Sequence, residues 1–208
     1  METPLTQNIR PDRTPLNLPE YEQVGGYTAV RQTLKMSPGD VTDLGQEANL
    51  KGRGGAGFNA GFKWSFVPMG EDAPTPKYLI CNADEMEPGT FKDRLLMEGD
   101  PHQLIEGMII SAYAIQASQA IIFLRWAYKT SEKRLRQAIA EAYDAGYLGQ
   151  NILSSGYSLE MQLHVSAGRY MCGEETGLLN SLEGKRAIPR AKPPYPQVRG
   201  LWGKPTIV

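Results

Sequence analysis

The chain has 208 residues, 41% apolar and 22% charged, and a formal net charge of −1, which argues against a general nucleic-acid-binding protein. The length fits one domain with an extension. Two cysteines, Cys81 and Cys172, and two isolated histidines are too few for a disulfide framework, a cluster held by four thiolates or a zinc site. We therefore expect free thiols in a reducing compartment and no metal bound by this chain.

The first fifty residues are predicted to form an arm followed by two helices. Met1 to Pro19 carries four prolines and few large apolar side chains, which predicts an extended arm. Tyr27 to Met36 has helical spacing, and Ser37 with Pro38 then provides an N-cap and first position for a helix that ends near Asn49. We expect residues 1–50 to precede the main domain, which spans residues 51–208.

The main domain alternates predicted strands with predicted helices. Compact or alternating apolar runs predict strands at 77–82, 120–124 and 159–165. The predicted helices lie at 91–97, from Pro101 onward, at 131–145 with Ser131 as N-cap, and at 173–182. Proline-rich coil follows from Gly184, and residues 204–208 resemble the beginning of a strand. Alternation of strands and helices predicts an α/β fold with a largely parallel sheet.

The most apolar stretch, Leu104 to Trp126, does not predict a membrane span. Polar or flexible residues interrupt it at Glu106, Gly107, Gln116 and Gln119, so it fits a buried helix followed by a strand. The N-terminus also lacks the basic stub and apolar run of a signal peptide. These features predict a cytoplasmic protein that does not insert into a membrane.

The segment 52–57 reads GRGGAG and fits the G-x-G-x-x-G pattern of dinucleotide-binding turns. That pattern requires a preceding strand, whereas a helix is predicted here, so a flexible turn stays open as an alternative. Glycines nevertheless let backbone N–H groups approach a phosphate or a flat ring. Arg53 and Lys63 add positive charge on either side. Flat faces on which a base can stack follow at Phe58, Trp64 and Phe66.

Three carboxylates, Asp84, Glu85 and Glu87, follow the first predicted strand within four residues. Ligands of parallel α/β sheets bind beyond the carboxyl ends of the strands. Carboxylates so close in sequence repel one another, which indicates that they face hydroxyls, ring N–H groups or a cation. An exposed acidic turn is the alternative interpretation.

A second loop between a strand and a helix, residues 167–177, contains Gly173, which frees a helix N-terminus to point N–H donors at a ligand. Glu174 and Glu175 in the first turn also suit the helix dipole, so ordinary helix chemistry explains them equally well. Cys172 has no nearby base in the sequence and is interpreted as a packing residue.

The C-terminal segment, residues 184–208, carries six basic residues and no acidic one, which leaves a net charge of −7 for the rest of the chain. This basic end either meets a phosphate-rich ligand or is a solvated strap. Within it, residues 192–196 (KPPYP) display Lys192 and Tyr195 on a proline-rich strap. A structural strap and a lid over a cofactor both remain open.

In this order, a set of strings resembles the NADH-binding flavoprotein subunit of bacterial respiratory complex I (NADH:quinone oxidoreductase) from about Gly26 to Val208. The strings are GRGGAGF, KWSF, CNADEMEPGTFKDR, GRYMCGEETGLLNSLEG, KPPYP and WGKPT. The family also includes diaphorase subunits of NAD-reducing hydrogenases and NAD-dependent formate dehydrogenases, which remain alternatives. The resemblance implies a Rossmann-like, three-layer domain that binds FMN and NAD(H) and passes a hydride from NADH to FMN, with electrons then going to iron–sulfur clusters.

The resemblance also implies roles for individual residues. Glu87 is implied to lie near the nicotinamide and to position it against the flavin. The residues implied to hold FMN and approach the NADH phosphates are Gly52, Arg53, Gly54, Gly55, Ala56, Gly57 and Lys63. Those implied to bind the flavin are Asn82, Asp84, Glu85, Tyr170, Gly173 and Glu174. Those implied to stack on the adenine or hold the nucleotide's polar part are Phe58, Phe66, Tyr195, Lys192 and Glu175.

Several features depart from the family. Trp126 stands where a glycine is common, Tyr195 where phenylalanine is frequent, and residues 59–61 replace the usual P-T-G. In the family an Asn-Asn-x-x-Thr segment, a ubiquitin-like domain and a domain with four cysteines around a [4Fe–4S] cluster follow WGKPT. We therefore expect an N-terminal fragment that binds FMN weakly and is inactive alone, and a non-catalytic fragment stays open.

The resemblance further implies partners and a location. NADH and the other peripheral-arm subunits, notably the [2Fe–2S] subunit, are the expected partners, and nucleic acid is not. The complex is expected on the cytoplasmic side of the inner membrane.

Overall fold

A computed structural model describes residues 3–208, so the first two residues of the predicted arm lie outside it. The helices are α1 (Leu18–Gln23), α2 (Thr28–Thr33), α3 (Pro38–Glu47), α4 (Ala60–Trp64), α5 (Lys92–Gly99), α6 (Pro101–Ile115), α7 (Lys129–Asp144), α8 (Glu175–Leu182) and α9 (Pro196–Arg199). The strands are β1 (Tyr78–Ala83), β2 (Gln119–Leu124), β3 (Glu160–Val165) and β4 (Thr206–Ile207). Short 3₁₀ turns occupy Ile152–Ser154, Tyr170–Gly173 and Leu201–Gly203.

The four strands form one parallel sheet in the order β3-β2-β1-β4. From β1 the chain moves outward through β2 to β3 and then crosses back to place β4 on the other side of β1. The strand order therefore reverses between β1 and β4, which is the topological switch point where open α/β sheets bind ligands. The prediction of an α/β fold with a mainly parallel sheet is confirmed.

The sheet is covered on both faces, because successive strand residues point to opposite sides. Leu79 and Ile122 belong to the larger core, which also contains residues of α6 and α7 such as Ile109 and Leu135. Side chains of the opposite face pack in a smaller core beneath α8; they are Ile80, Ile121, Phe123, Leu178 and Leu179. Strand β2 is buried from Ala120 to Leu124, which explains its continuous apolar sequence. Two helical layers thus enclose the sheet, as predicted.

Helices α1 and α2 contribute to the larger core rather than forming one of their own. Tyr21 and Tyr27 are buried there beside α6. The Tyr21 hydroxyl donates to a carboxylate oxygen of Glu106 at 2.6 Å, and the Tyr27 hydroxyl lies 3.0 Å from Nδ1 of His102. These bonds attach the N-terminal helices firmly to the domain. A domain boundary at residue 50 stays a prediction.

Three short helices were not predicted. Helix α1 lies partly within the predicted arm, because Asn17 and Glu20 form a reciprocal capping box that the composition of the arm obscured. Helix α4 follows the glycine-rich loop, and its N-cap Asn59 accepts from the Phe62 N–H. Helix α9 interrupts the predicted coil and begins at Pro196.

Other boundaries confirm or correct the sequence interpretation. The N-cap at Ser37 and the terminal strand, now β4, are confirmed. The N-cap at Ser131 is wrong, because α7 already begins at Lys129 and Ser131 is buried within it. Among residues 3–208, no helix is both long and apolar enough to cross a membrane.

Candidate functional site

The loops that follow β1 and β3 meet at the carboxyl edge of the sheet. The side-chain amide of Asn82 donates to the carbonyl oxygen of Gly173 at 2.8 Å. The Ser166 hydroxyl donates to Oδ1 of Asp84 at 2.9 Å. Because β2 lies between β1 and β3, the second loop must cross this edge to reach α8. The structure thus brings together two of the segments that the sequence singled out.

Asp84 is the most constrained carboxylate at this edge. Its side chain is almost fully buried, with 5% exposed, and Oδ2 has no hydrogen-bond partner within residues 3–208. Burial raises the pKa of this carboxyl above its usual range, although Ser166 and Arg125 oppose that change. A buried acceptor without a partner is costly, and a donor from a bound ligand would satisfy it. Oδ2 of Asp84 is therefore a candidate acceptor for a ligand N–H.

The Glu85 carboxylate accepts several hydrogen bonds within the protein that the sequence did not reveal. Its carboxylate accepts from the backbone N–H groups of Asp93 at 3.0 Å and Arg94 at 3.1 Å, and from the Tyr128 hydroxyl at 2.9 Å. It thereby caps the N-terminus of α5, whose own N-cap residue supplies no side-chain bond. A flavin-binding role for Glu85 stays a prediction, and this carboxylate is already engaged elsewhere.

Arg125 is a site residue that the sequence interpretation missed. Its guanidinium donates to the carbonyl oxygen of Glu85 at 2.7 Å and lies over the ring of Tyr128. Its backbone N–H donates to the Ala83 carbonyl at 3.1 Å, so the chain after β2 is fixed to the end of β1. The available signal was a basic residue directly after a run of five apolar residues, 120–124.

Glu174 is the N-cap of α8. One of its carboxylate oxygens accepts from the backbone N–H groups of Thr176 and Gly177 at 2.9 and 2.7 Å, and from the Thr176 hydroxyl at 2.7 Å. These are the donors that a free helix N-terminus would point at a ligand. Capping therefore accounts for Glu174, and its predicted contact with the flavin stays a prediction.

Glu175 joins the two predicted cofactor-binding lysines. One carboxylate oxygen lies 3.4 Å from Nζ of Lys63, and the other lies 2.6 Å from Nζ of Lys192. Lys63 also donates to the carbonyl oxygen of Val208 at 2.7 Å. The first turn of α8, helix α4 and the strap 192–196 thus converge beside β4. Two ammonium groups thus share the carboxylate of Glu175.

The glycine-rich loop is exposed and lies beside α4. An antiparallel bridge between Lys51 and Asn59 closes its base. Gly55 and Gly57 have φ values of 124° and 61°, which L-residues seldom adopt. With backbone rather than side chains at its surface, this loop can approach a phosphate closely.

Three phenylalanine rings form an exposed cluster next to the loop. Phe58 and Phe66 were predicted, and Phe62 joins them, with ring centroids 5.8 Å from Phe58 and 4.9 Å from Phe66. Phe62 precedes Phe66 by four residues, which is the helical spacing that could have identified it. Trp64 instead packs against the main core. The exposed ring of Tyr195 makes no contact with another aromatic ring within the described residues.

The basic C-terminal segment is partly neutralised by one acid just before it. Glu183 lies 2.7 Å from Nζ of Lys185 and 2.8 Å from the guanidinium of Arg190. With Lys192 paired to Glu175, half of the six basic side chains have a local structural partner. The C-terminal segment is therefore not simply a solvated strap.

Metal-binding geometry is not found in the part of the chain that the structure describes. Within residues 3–208 no three His, Cys, Asp or Glu side chains lie together as ligands would. Burial raises the pKa of the Cys81 thiol to about 12, so this thiol stays protonated at neutral pH. Cys172 is buried in the smaller core, as expected for a packing residue.

Most of the chain matches one protein family. Residues 46–202 match the family described as the Nuo51 FMN-binding domain. The chain is similar to a subunit of the NADH-quinone oxidoreductase of Escherichia coli, with 54% identity over 99% of this chain and 46% of that protein. It is also similar to the corresponding protein of Aquifex aeolicus, with 52% identity over 100% of this chain and 48% of the relative. The chain spans about half the length of these curated relatives.

A solved structure shares the fold. In a crystal structure of an NAD⁺-reducing [NiFe]-hydrogenase in the H₂-reduced state, one chain superposes with a TM-score of 0.77 and 38% identity. The superposition covers 94% of this chain and 33% of the hydrogenase chain.

Proposed function

The chain belongs to the Nuo51 FMN-binding domain family, and on that premise we propose that it forms the FMN- and NADH-binding part of an NADH:quinone oxidoreductase of the complex I type. One observation carries the proposal beyond family membership. A buried acceptor without a partner among residues 3–208, Oδ2 of Asp84, lies at the end of β1, next to the switch point of the sheet. A flavin ring carries the N–H donor that this oxygen lacks.

The residues at this edge fit a flavin in three respects. Asp84 offers a buried acceptor, and Asn82 with Gly173 closes the edge behind it. A Cβ atom added at Gly173 would lie 3.4 Å from the Asp84 carbonyl oxygen, so glycine leaves this edge of the sheet open to a ligand. Lys63 places positive charge beside β4, where the phosphate of a mononucleotide would be neutralised.

The nucleotide site proposed for NADH lies between the phenylalanine cluster and the strap. Phe58, Phe62 and Phe66 present half-exposed rings on which an adenine can stack. Lys192 and Lys63 supply charge for the phosphates, and Glu175 offers a carboxylate to ribose hydroxyls. The same carboxylate also holds the two lysines in place.

The chemistry divides between cofactor and protein. When bound, FMN would supply the capacity to take two electrons as a hydride and to release them singly to iron–sulfur carriers. The chain's own side chains bind, orient and neutralise, and no nucleophile is required. Glu87, held by the Tyr170 hydroxyl at 2.6 Å, is proposed to position the nicotinamide.

Two alternatives belong to this proposal. A diaphorase subunit of a hydrogenase is supported by the shared fold at 38% identity, whereas the two NADH-quinone oxidoreductase relatives are 52–54% identical, which favours the complex I type. A non-catalytic fragment is the alternative of another class. It predicts a folded chain in which flavin does not bind.

The proposed partners and cellular site follow from the enzyme class. The proposed partners are NADH and other peripheral-arm subunits, including one with a [2Fe–2S] cluster. The proposed location is the cytoplasmic side of the inner membrane. The [4Fe–4S] cluster is assigned to the portion of the relatives that this chain does not match.

Flavin titration of the purified chain tests the proposal. We expect saturable quenching of FMN fluorescence, and Asp84→Leu should weaken the affinity about tenfold or more, because the buried flavin N–H would be left without an acceptor. Glu71→Gln, an exposed acid outside this edge, is the matched control. Urea unfolding of each variant checks that the fold persists. Absence of saturable FMN binding in the wild type, or equal affinity in Asp84→Leu, would count against the proposed site.

A further inference from the structure

The indole ring of Trp126 lies directly on the backbone of Gly168. Trp126 is the second residue after β2, and Gly168 is the third after β3. A methyl group at Gly168 would overlap Cδ1 and Nε1 of the indole, so no larger residue fits there without displacement of the ring. About half of the tryptophan, 51%, stays exposed. Glycine at 168 and tryptophan at 126 are therefore sterically matched.

Gly168 belongs to the loop 166–174, which crosses the carboxyl edge of the sheet from β3 to α8. Hydrogen bonds attach this loop at Ser166, at Tyr170 and at Gly173. Between the first two points Ala167 and Arg169 are exposed. The indole of Trp126 thus supplies apolar packing to a stretch whose own side chains supply little.

The base of Trp126 is well anchored. Its neighbour Arg125 is bonded through its backbone to Ala83 and through its guanidinium to the Glu85 carbonyl oxygen. The Tyr128 N–H donates to the Arg125 carbonyl at 3.0 Å, which closes the turn that carries Trp126. A bulky ring on a fixed turn can restrict a loop that lies against it.

We propose that Trp126 is a positioning residue: seated on Gly168, it fixes the loop 166–174 and, through it, the pair formed by Tyr170 and Glu87. The restriction of the loop stands on the geometry alone. Its consequence for flavin and NADH rests on the proposed function.

A double-mutant cycle tests the contact. Gly168→Ala introduces a methyl group that overlaps the indole, and it also strains a residue with φ of 80°. With Trp126→Ala only the backbone strain remains, so Gly168→Ala should shift the urea midpoint less in that background than in the wild type. Equal shifts in both backgrounds would show that the two residues are not coupled and would overturn the proposal.

Hydrogen exchange tests the restriction of the loop. In Trp126→Ala, amides of residues 166–174 should exchange about fivefold to thirtyfold faster, whereas amides of α7 keep their rates. Trp126→Phe, which retains an aromatic face, should restore most of the protection. Unchanged exchange in Trp126→Ala, or an equal acceleration throughout the chain, would contradict a positioning role.

FMN affinity connects the loop to the site. Trp126→Ala should raise the FMN dissociation constant about fivefold, and Trp126→Phe should return it towards the wild-type value. Unaltered affinity together with faster loop exchange would overturn the link from the loop to the flavin. If the wild-type chain does not bind FMN, the proposed function fails, and the exchange experiment still decides whether Trp126 fixes the loop.

Discussion

The hydroxyl of Tyr170 donates a hydrogen bond of 2.6 Å to a carboxylate oxygen of Glu87. The two residues are 83 positions apart, and their bond joins the loop after β1 to the loop after β3. The hydrogen bond to Glu87 and the negative charge of that carboxylate raise the pKa of the Tyr170 hydroxyl, so the tyrosine remains a donor throughout the neutral range. Both side chains are exposed, which leaves the carboxylate accessible to a ligand at this edge.

Glu87→Gln should slow flavin reduction without loss of the fold. The glutamine oxygen can still accept from Tyr170, but the charge proposed to orient the nicotinamide is gone. We expect FMN affinity to stay constant and the unfolding free energy to change by less than about 1 kcal/mol, because the pair is exposed. The measurement is the rate at which NADH bleaches the flavin absorbance of the FMN-saturated chain. An unaltered rate would remove Glu87 from the nicotinamide end of the site.

Glu85→Ala should destabilise the fold, in contrast to a change at Glu87. The buried Glu85 carboxylate accepts three hydrogen bonds, two of them from the N-terminus of α5. Their loss should lower the unfolding free energy by about 2–3 kcal/mol in urea titrations. Glu87→Ala, an exposed neighbour, is the control and should cost less than about 1 kcal/mol. Equal losses for the two variants would show that Glu85 does not stabilise α5.

Gly61→Ala should separate α3 from α4. A methyl group at Gly61 would overlap backbone atoms of Gly45 and Gln46, and backbone cannot swing aside as a side chain can. We expect a loss of about 2–3 kcal/mol in unfolding free energy and weaker nucleotide binding, because α4 carries Lys63. Gly54→Ala is the matched control for the unfolding free energy alone, since no atom lies within 4 Å of its added methyl group. A similar loss in both variants would argue against a close helix contact.

His102 should make stability depend on pH. Its side chain is 1% exposed, and burial lowers its pKa below the ordinary value despite the bond to Glu141. Below about pH 6.5 the unfolded chain therefore binds a proton that the folded chain excludes. Stability should fall as pH decreases from about 6.5 towards the folded-state pKa, by at most about 1.4 kcal/mol per pH unit.

The pH effect can be isolated by substitution. Urea unfolding of wild type and His102→Gln at several pH values gives the contribution of this histidine as a difference. His164→Gln serves as a comparison, because burial also lowers the pKa of His164, though without a carboxylate partner among the described residues. A wild-type stability that rises relative to His102→Gln as pH falls would contradict the assignment.

Local signals in the sequence were sufficient to predict most of the fold. The three long strands were predicted within one or two residues, because apolar runs bounded by polar turns have few alternatives. The sequence had singled out both the segment of Asp84 and the loop after β3, and the structure joins them at the carboxyl edge that parallel strands share. Ser37 was identified as an N-cap because the proline that follows it, at the start of a predicted helix, is a local feature of the sequence.

The remaining features depend on contacts between distant residues. Glu85 and Glu174 lie in sequence segments typical of ligand-binding acids. Each nevertheless caps a helix whose orientation only the folded chain defines. The bond between Lys63 and Glu175 spans 112 positions, and no spacing rule predicts it. Trp126 likewise had no explanation until the fold placed Gly168 beneath it.

The strand order also has a consequence for the course of folding. During synthesis from the N-terminus, β1, β2 and β3 are complete before Thr206 and Ile207 are made, so β1 remains an edge strand until β4 emerges. The carbonyl that accepts from Lys63 belongs to Val208 and is made later still. Residues up to α8 supply most of both hydrophobic cores, and Leu201 and Ile207 complete them. The switch point between β1 and β4, next to which the FMN site is proposed, is therefore closed only after β4 is made.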